Sequence, residues 1–265
     1  MNISKNIHTF IGCDSDYAES RIAIFGAPFD STTSYRPGAR FASSAMRNES
    51  YGIETYSPYQ DKDLLDAEIF DCGDLELCFG SPESALNDIE KMTENIISDG
   101  KLPIMIGGEH LVTLGAVRAA VKKYPDLRIV HFDAHADLRD DYLGQKLSHA
   151  CVMRRCHELL GDGKIFQFGI RSGDREEFLW GREHVYINRF DFSGIEIIKE
   201  KTGDRPVYFT LDLDVLDPSC FCGTGTPEAG GVSYNELIKA IEKVSELNVI
   251  GPVSYTHLRA HETEA

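Results

Sequence analysis

The stretch IVHFDAHADLR, residues 129–139, decides how the rest of the chain is interpreted. An apolar run of strand length ends in Asp133, His135 and Asp137, which alternate with alanines. A need for solubility would scatter charges along the chain, and a need for core packing would exclude them. The end of this strand is therefore a candidate functional site.

The strand belongs to a repeating pattern of short apolar runs separated by segments of helical periodicity. Strand-like runs occupy residues 21–26, 67–74, 102–108, 127–133, 164–170, 185–187, 206–214 and 248–251. One intervening helix is predicted to begin at Ser81, followed by Pro82 and Glu83, and others cover 111–124 and 235–247. This alternation predicts a mainly parallel sheet with right-handed crossovers and helices on both faces.

Two further strand ends carry polar side chains. The run IMIGGEH leads to Glu109 and His110, and VYFTLDLDVLDPS contains Asp212, Asp214 and Asp217. A single Asp-x-His more often serves in a turn or a cap, and we assign Asp217, which precedes Pro218, to a turn. Because parallel strands end at one edge of a sheet, three such clusters together favour a metal site.

The charges of these residues favour two divalent ions. The candidate ligands are four carboxylates and two imidazoles: Asp133, Asp137, Asp212, Asp214, His110 and His135. Buried carboxylates repel one another unless cations neutralise them. Oxygen-rich ligation with some imidazole suits manganese better than zinc, and calcium rarely binds histidine. Two close ions can activate a shared water, so the site would perform hydrolysis.

Composition narrows the remaining classes of function. The length of 265 residues suits one large globular domain, and the net charge of −16 argues against nucleic-acid binding. That acidity serves solubility, or it concentrates a small cationic substrate around the protein. The chain has no long apolar run and no signal sequence, so we expect no membrane association. Its seven cysteines form no paired motif, so we expect a cytoplasmic protein with reduced thiols.

The three clusters resemble the metal-binding signatures of the ureohydrolase family, which includes arginases, agmatinases and formiminoglutamases. The matching segments are GGEH, HFDAHADLR and LDLDVLDPS, supported by GAPFDSTTSYRPGARFASSAMR, KLSHACVMRR and GTGTPEAGG. The resemblance covers roughly residues 20–251 and implies a three-layer α/β/α sandwich with a mainly parallel sheet and two Mn²⁺ per chain. It also implies a homo-oligomer, a trimer or a hexamer.

The resemblance further implies a role for each residue. His110 and Asp137 would bind one manganese, His135 and Asp214 the other, while Asp133 and Asp212 would bridge both. A hydroxide between the ions would attack the guanidinium carbon and give urea and an amine. Asp137 would accept a proton, His149 would contact the substrate and shuttle protons to the leaving amine, and Thr226 would face the substrate.

The substrate prediction rests on the segment after the second cluster. Arg139 stands where arginases usually have an asparagine, and RPGARF and GTPEAGG resemble the agmatinase branch. Agmatine, converted to putrescine and urea in polyamine biosynthesis, is therefore the predicted substrate. Guanidinobutyrate and formiminoglutamase-type substrates stay open. Two other readings are a zinc-dependent deacetylase-like enzyme and a catalytically inactive metal-binding remnant.

The resemblance ends after residue 251. Family members continue with an acidic strand end similar to D-V-V-E-x-x-P and a final helix, whereas this chain reads PVSYTHLRAHETEA. Pro252 is predicted to interrupt the last strand. We therefore expect a domain over residues 1–251, with its last strand and helix missing, and a non-native or frame-shifted tail over 252–265. His257, His261 and Glu262 are assigned to this tail. In the family, the glutamate of the acidic strand end holds the substrate guanidinium, and its loss here is expected to impair catalysis.

Overall fold

Eight parallel strands form the central sheet of the protein. The computed structural model describes residues 8–255, with side chains up to Gly251. The strands are β1 Ile22–Ala27, β2 Tyr56–Ser57, β3 Lys62–Asp63, β4 Ile69–Asp74, β5 Leu102–Gly107, β6 Arg128–Phe132, β7 Ile165–Ile170, β8 Tyr186–Arg189, β9 Val207–Asp212 and β10 Val249–Tyr255. The sheet has the order β4-β1-β5-β10-β9-β6-β7-β8, and β2 and β3 form a separate antiparallel hairpin.

Helices connect most of the strands, as the alternation predicts. They are α1 Ala42–Ser50, α2 Pro82–Ser98, α3 Val112–Lys123, α4 Val152–Leu160, α5 Arg175–His184, α6 Ile197–Thr202 and α7 Tyr234–Ser245. Ser81 caps α2 as predicted, because its hydroxyl accepts a hydrogen bond from the Ser84 N–H at 3.2 Å. Both α5 and α7 begin with a capping box, formed in α7 by Ser233 and Glu236.

Two hydrophobic cores lie on opposite faces of the sheet. Neighbouring strand residues alternate between them: Ile129 and Tyr208 pack in a core with α2, α3 and α4, whereas Val130 and Phe209 pack with α6 and α7. Burial on both faces makes three layers, which confirms the predicted α/β/α sandwich with a parallel sheet. Within residues 8–255, no helix combines the length and apolarity needed to cross a bilayer.

One detail of the predicted fold is wrong, because the last strand is present. β10 runs through Pro252 and lies between β5 and β9, with Pro252 opposite Phe209 and Val253 opposite both Thr210 and Met105. Proline removes a single N–H donor and its fixed φ is compatible with extended backbone, so the other ladder bonds hold the strand. The boundary at residue 251 therefore falls inside β10. The predicted absence of the final helix concerns residues 256–265, which lie outside the described part of the chain.

Candidate metal centre

Six predicted ligands follow three strands whose carboxyl ends meet at one edge of the sheet. His110 follows β5, Asp212 ends β9 and Asp214 lies in the turn after it. The remaining three, Asp133, His135 and Asp137, follow β6. Because β9 lies beside β6, and β10 alone separates β9 from β5, the topology brings side chains 100 residues apart in sequence into one cluster.

The cluster divides into two overlapping groups of donor atoms. Nδ1 of His110 lies 2.9 Å from Asp133 Oδ2 and 2.8 Å from Asp137 Oδ2. Nδ1 of His135 lies 3.0 Å from Asp214 Oδ2 and 3.4 Å from Asp133 Oδ1. Within each group the donor atoms are all less than 4.8 Å apart, and Asp133 belongs to both. A carboxylate shared between two donor groups is the arrangement expected of a ligand that bridges two ions.

Asp212 lies beside these groups without belonging to either. Its side chain is buried, lines the same cavity and accepts a hydrogen bond from the Asp214 N–H at 2.9 Å through Oδ1. The structure thus brings all six predicted ligands to one cavity and five of them into the two donor groups. That these residues bind manganese stays a prediction.

Burial sets the electrostatics of the cluster. Burial alone would lower the pKa of His110, but hydrogen bonds to Asp133 and Asp137 outweigh it and raise that pKa well above its ordinary value. Burial, followed by the charges of Asp212 and Asp133, raises the pKa of Asp214 to about 8. Without metal ions, protons held by His110 and Asp214 therefore offset the negative charge of this cluster. Divalent cations would replace those protons, so the donor set fits the manganese pair that the family pattern implies.

Asp137 also has an unusual backbone conformation. Its φ of 54° is in the left-handed region, which non-glycine residues rarely occupy and which Asp tolerates better than most. The Asp137 carbonyl accepts hydrogen bonds from the N–H groups of Met153 at 3.0 Å and Arg154 at 3.3 Å, in the first turn of α4. The helix start therefore holds a strained residue in place at the site.

Sequence reasoning missed the residues that support the ligands. His131 is fully buried, and its Nε2 lies 2.8 Å from Asp133 Oδ2, while Gln167 Nε2 lies 2.9 Å from its Nδ1. The Thr210 hydroxyl lies 3.1 Å from His110 Nε2. The signal for His131 was present, because residues 131, 133, 135 and 137 have the two-residue spacing that places strand side chains on one face.

A cavity of about 260 Å³ opens above the cluster. His149 and Thr226, both predicted to meet substrate, lie in its wall. Nε2 of His149 is 3.3 Å from the Ser34 hydroxyl, and the His149 N–H donates to Thr32 Oγ1 at 3.1 Å. The Thr32 hydroxyl in turn donates to the buried Glu109 at 2.5 Å. This chain of bonds fixes the loop that carries His149.

Glu228 is a further wall residue that sequence reasoning did not single out. Its Oε1 accepts a hydrogen bond from the Ser172 hydroxyl at 2.9 Å and lies 3.7 Å from His135 Nε2. The residue belongs to the GTGTPEAGG segment, but that motif alone does not show which side chain faces the cavity. Asp217 takes the predicted turn role, because its Oδ1 accepts from the Ser219 N–H at 3.0 Å.

The parallel α/β/α sandwich, with carboxylates and histidines at its carboxyl edge, is the architecture that the resemblance to ureohydrolases predicts. The sequence profile of the Arginase family matches residues 20–252. The chain therefore belongs to the arginase family.

Three relatives place the chain within this family. It is 47% identical to the agmatinase of Bacillus subtilis over 248 residues, covering 91% of this chain and 85% of the relative. It is 34% identical to the guanidinobutyrase of Pseudomonas aeruginosa, covering 86% and 76%. The crystal structure of the agmatine ureohydrolase of Thermoplasma volcanium superposes with a TM-score of 0.87 at 36% identity, covering 97% of this chain and 88% of that one.

Proposed function

We propose that this ureohydrolase is a manganese-dependent agmatinase that hydrolyses agmatine to putrescine and urea. The observation that carries the choice of substrate is the environment of Arg139. Among the described residues that line the cavity, Arg139 is the one arginine or lysine. Its Nε lies 3.2 Å from Glu177 Oε2 and 3.7 Å from Asp174 Oδ2, and its guanidinium stacks on Tyr142 with Cζ 5.0 Å from the ring centre.

The positive charge of Arg139 is thus already balanced by Glu177 and Asp174. Arginine and guanidinobutyrate each carry a carboxylate that would need a cation, and pairing with two acids makes Arg139 a weak anchor for it. Agmatine carries a guanidinium and a primary amine and no carboxylate. Glu228 is a further acidic residue of the wall, and its charge suits a substrate that is cationic at both ends.

The ligands proposed for the two manganese ions are the six residues of the cluster, with Asp133 and Asp212 shared. When bound, the ions would supply a nucleophilic water near neutral pH. The chain supplies the rest of the chemistry. Asp137, whose Oδ2 lies 2.8 Å from His110 Nδ1, is the proposed acceptor of a proton from the attacking water.

His149 is the proposed proton donor for the leaving amine. Its imidazole faces the Ser34 hydroxyl at the cavity wall, where both groups can pass protons between solvent and substrate. Thr226, in the same wall, is proposed to orient the guanidinium through its hydroxyl. A substrate held in this way pre-aligns the guanidinium carbon with the nucleophile, which lowers the entropic part of the barrier.

Urea release after manganese loading tests the proposal. Purified full-length chain, freed of tags and loaded with Mn²⁺, is assayed with agmatine, arginine and guanidinobutyrate, and bound manganese is measured on the same sample. We expect kcat/KM for agmatine to exceed that for either carboxylate-bearing substrate at least about 100-fold, since a buried carboxylate without a cation costs several kcal/mol.

The outcomes separate the alternatives. Faster turnover of guanidinobutyrate would replace agmatinase by guanidinobutyrase, and one bound zinc with no urea release would favour the deacetylase-like reading. Two bound manganese ions without turnover would support the catalytically inactive alternative and the proposed effect of residues 252–265. A cytoplasmic location and a trimeric or hexameric assembly stay predictions, and size-exclusion chromatography with light scattering tests the assembly.

A further inference from the structure

A second cluster of metal-binding side chains lies away from the cavity. Nε2 of His157 is 2.7 Å and Nδ1 of His184 is 2.6 Å from the same oxygen, Oδ1 of Asp162. His157 is in the last turn of α4, His184 is in the last turn of α5, and Asp162 lies in the loop that enters β7. Since Ser172 of the cavity wall follows β7 at its other end, the two clusters are on opposite edges of the sheet.

The loop that carries Asp162 is fixed to both helices. The Gly161 N–H donates to the His157 carbonyl at 2.7 Å, and the Gly163 N–H donates to the His184 carbonyl at 2.9 Å. Both glycines have positive φ, 85° and 68°, so the turn needs residues that adopt the left-handed region. The backbone therefore presents Asp162 between the two imidazoles, independently of the hydrogen bonds that their side chains make.

Aromatic contacts orient both imidazoles. The His184 ring stacks on Trp180 with centroids 4.2 Å apart, and the His157 ring lies perpendicular to Trp180 with centroids 4.7 Å apart. The guanidinium of Arg154 lies over Trp180, with Cζ 3.8 Å from the ring centre. Ligand rings that are fixed in advance lose little conformational freedom when an ion binds.

We propose that His157, Asp162 and His184 form a second cation site, which takes one divalent ion of the zinc and nickel class and fastens α4 to α5. Two imidazoles and one carboxylate, completed by water, are an accepted ligand set for such ions. Both histidines are at helix C-termini, where the helix dipole favours a positive charge. The ion would bind the ring nitrogens that now face Asp162, and each neutral imidazole would then carry its proton on the other ring nitrogen.

The geometry requires a small adjustment on binding. Metal–ligand distances of about 2.0–2.1 Å in a tetrahedral site place the donor atoms about 3.3 Å apart. The two nitrogens are now 2.6 and 2.7 Å from Asp162 Oδ1, so this carboxylate must withdraw by roughly 0.6 Å. Its side chain is 67% exposed and can move outward without displacing packed neighbours.

Trp180 provides a specific readout, because it is the single tryptophan of the 265 residues and touches both histidines. The experiment uses tag-free, Mn²⁺-loaded full-length protein titrated with NiCl2 near pH 7.5, while tryptophan fluorescence is recorded. We expect saturable quenching that fits one site. In His157→Gln and His184→Gln the apparent Kd should rise at least about tenfold, and urea release should be unchanged.

Controls separate this site from other nickel binding. His8→Gln removes a histidine elsewhere and should leave the titration unchanged, and so should the double variant H257Q/H261Q. Because His184→Gln alters the tryptophan environment itself, His157→Gln and Asp162→Asn are also measured by equilibrium dialysis against NiCl2. Bound nickel should fall by about one ion per chain in both.

Thermal melting with ZnCl2 provides an independent measurement. A fastened pair of helices should raise Tm in the parent protein, and this increase should be lost in His157→Gln. Quenching that does not saturate, equal nickel binding by the parent and His157→Gln, or quenching abolished by H257Q/H261Q would each overturn the proposal.

Discussion

Two acidic clusters in this sheet, each with a buried carboxylate, are neutralised in different ways. Near the end of β4, Asp71 and Asp74 meet Arg47, whose side chain is 3% exposed. Its Nε and Nη2 donate to the two oxygens of Asp71 at 2.8 and 3.0 Å, and Nη1 donates to Asp74. At the ends of β5, β6 and β9, the buried Asp133, Asp137 and Asp214 are paired instead with the histidines His110 and His135.

The difference shows how one fold separates stability from chemistry. A guanidinium always carries its charge, and its bidentate bonds to Asp71 hold that carboxylate in a fixed geometry. A histidine can exchange a proton for a metal ion, so the second cluster can accept cations that bring reactivity. Mutations in the metal centre should therefore reduce activity, whereas mutations in the arginine cluster should reduce stability.

The largest effect is expected when the shared carboxylate of the metal centre is changed. Asp133→Asn should lower urea release at least about a thousandfold and reduce bound manganese, because one residue serves both donor groups. Asp74→Asn is the matched control in the arginine cluster, and it should keep both ions. Full manganese content in Asp133→Asn, measured by atomic absorption, would contradict the assignment.

The reverse experiment removes the cation of the other cluster. Arg47→Met leaves the buried Asp71 and the partly exposed Asp74 uncompensated and should lower the free energy of unfolding by about 3–5 kcal/mol. Arg118→Met breaks an exposed pair with Glu83 and should cost less than about 1 kcal/mol. Urea denaturation of the manganese-loaded proteins measures both. Equal costs for the two variants would show that burial does not distinguish these ion pairs.

Chelation tests whether the metal centre contributes to stability as an exchangeable cation should. Removing manganese with EDTA should lower Tm, since a site filled at about 100 times its Kd contributes about 2.7 kcal/mol. Added Mn²⁺ should restore Tm in the parent protein. In Asp133→Asn, EDTA and Mn²⁺ should have little effect, and a Tm of the parent that is independent of both would refute the role of the ions.

In the cavity wall, the hydroxyl of Thr32 holds the His149 loop by hydrogen bonds. Thr32→Val removes the hydroxyl that links Glu109 to the His149 N–H, and kcat should fall about fivefold, which corresponds to roughly 1 kcal/mol. Thr33→Val is the neighbouring control, because the structure gives the Thr33 hydroxyl no hydrogen bond among the described residues. Steady-state assays with agmatine should show no loss for Thr33→Val.

The smallest effect concerns Asp217, a carboxylate stabilised by hydrogen bonds and not by a cation. Bonds from Ser219, Gly230 and Gly231 lower the pKa of Asp217 to about 2, below the value of about 3.9 in an unfolded chain. Its contribution to stability is complete above pH 4 and is lost as the pH falls toward 2. The stability difference between the parent and Asp217→Asn should therefore shrink across this range in acid titrations of unfolding.

The sequence predicted the sheet and the six candidate ligands because both depend on local patterns. Apolar runs mark strands, and polar residues directly after them mark the shared edge. Glu228 and Thr32 were not predictable in this way, since their places depend on how long loops fold over the edge. The prediction that Pro252 interrupts the last strand was wrong. It considered only the N–H donor that proline lacks, whereas β10 is paired with β5 on one side and β9 on the other.

The position of β10 has a consequence for biosynthesis. The last described strand in sequence order is a central strand of the sheet, so β1, β4 and β5 cannot join β6–β9 until it has been translated. His110 belongs to the first half and Asp133, His135, Asp212 and Asp214 to the second. Before β10 is translated, a nascent chain on the ribosome therefore carries two incomplete half-sites.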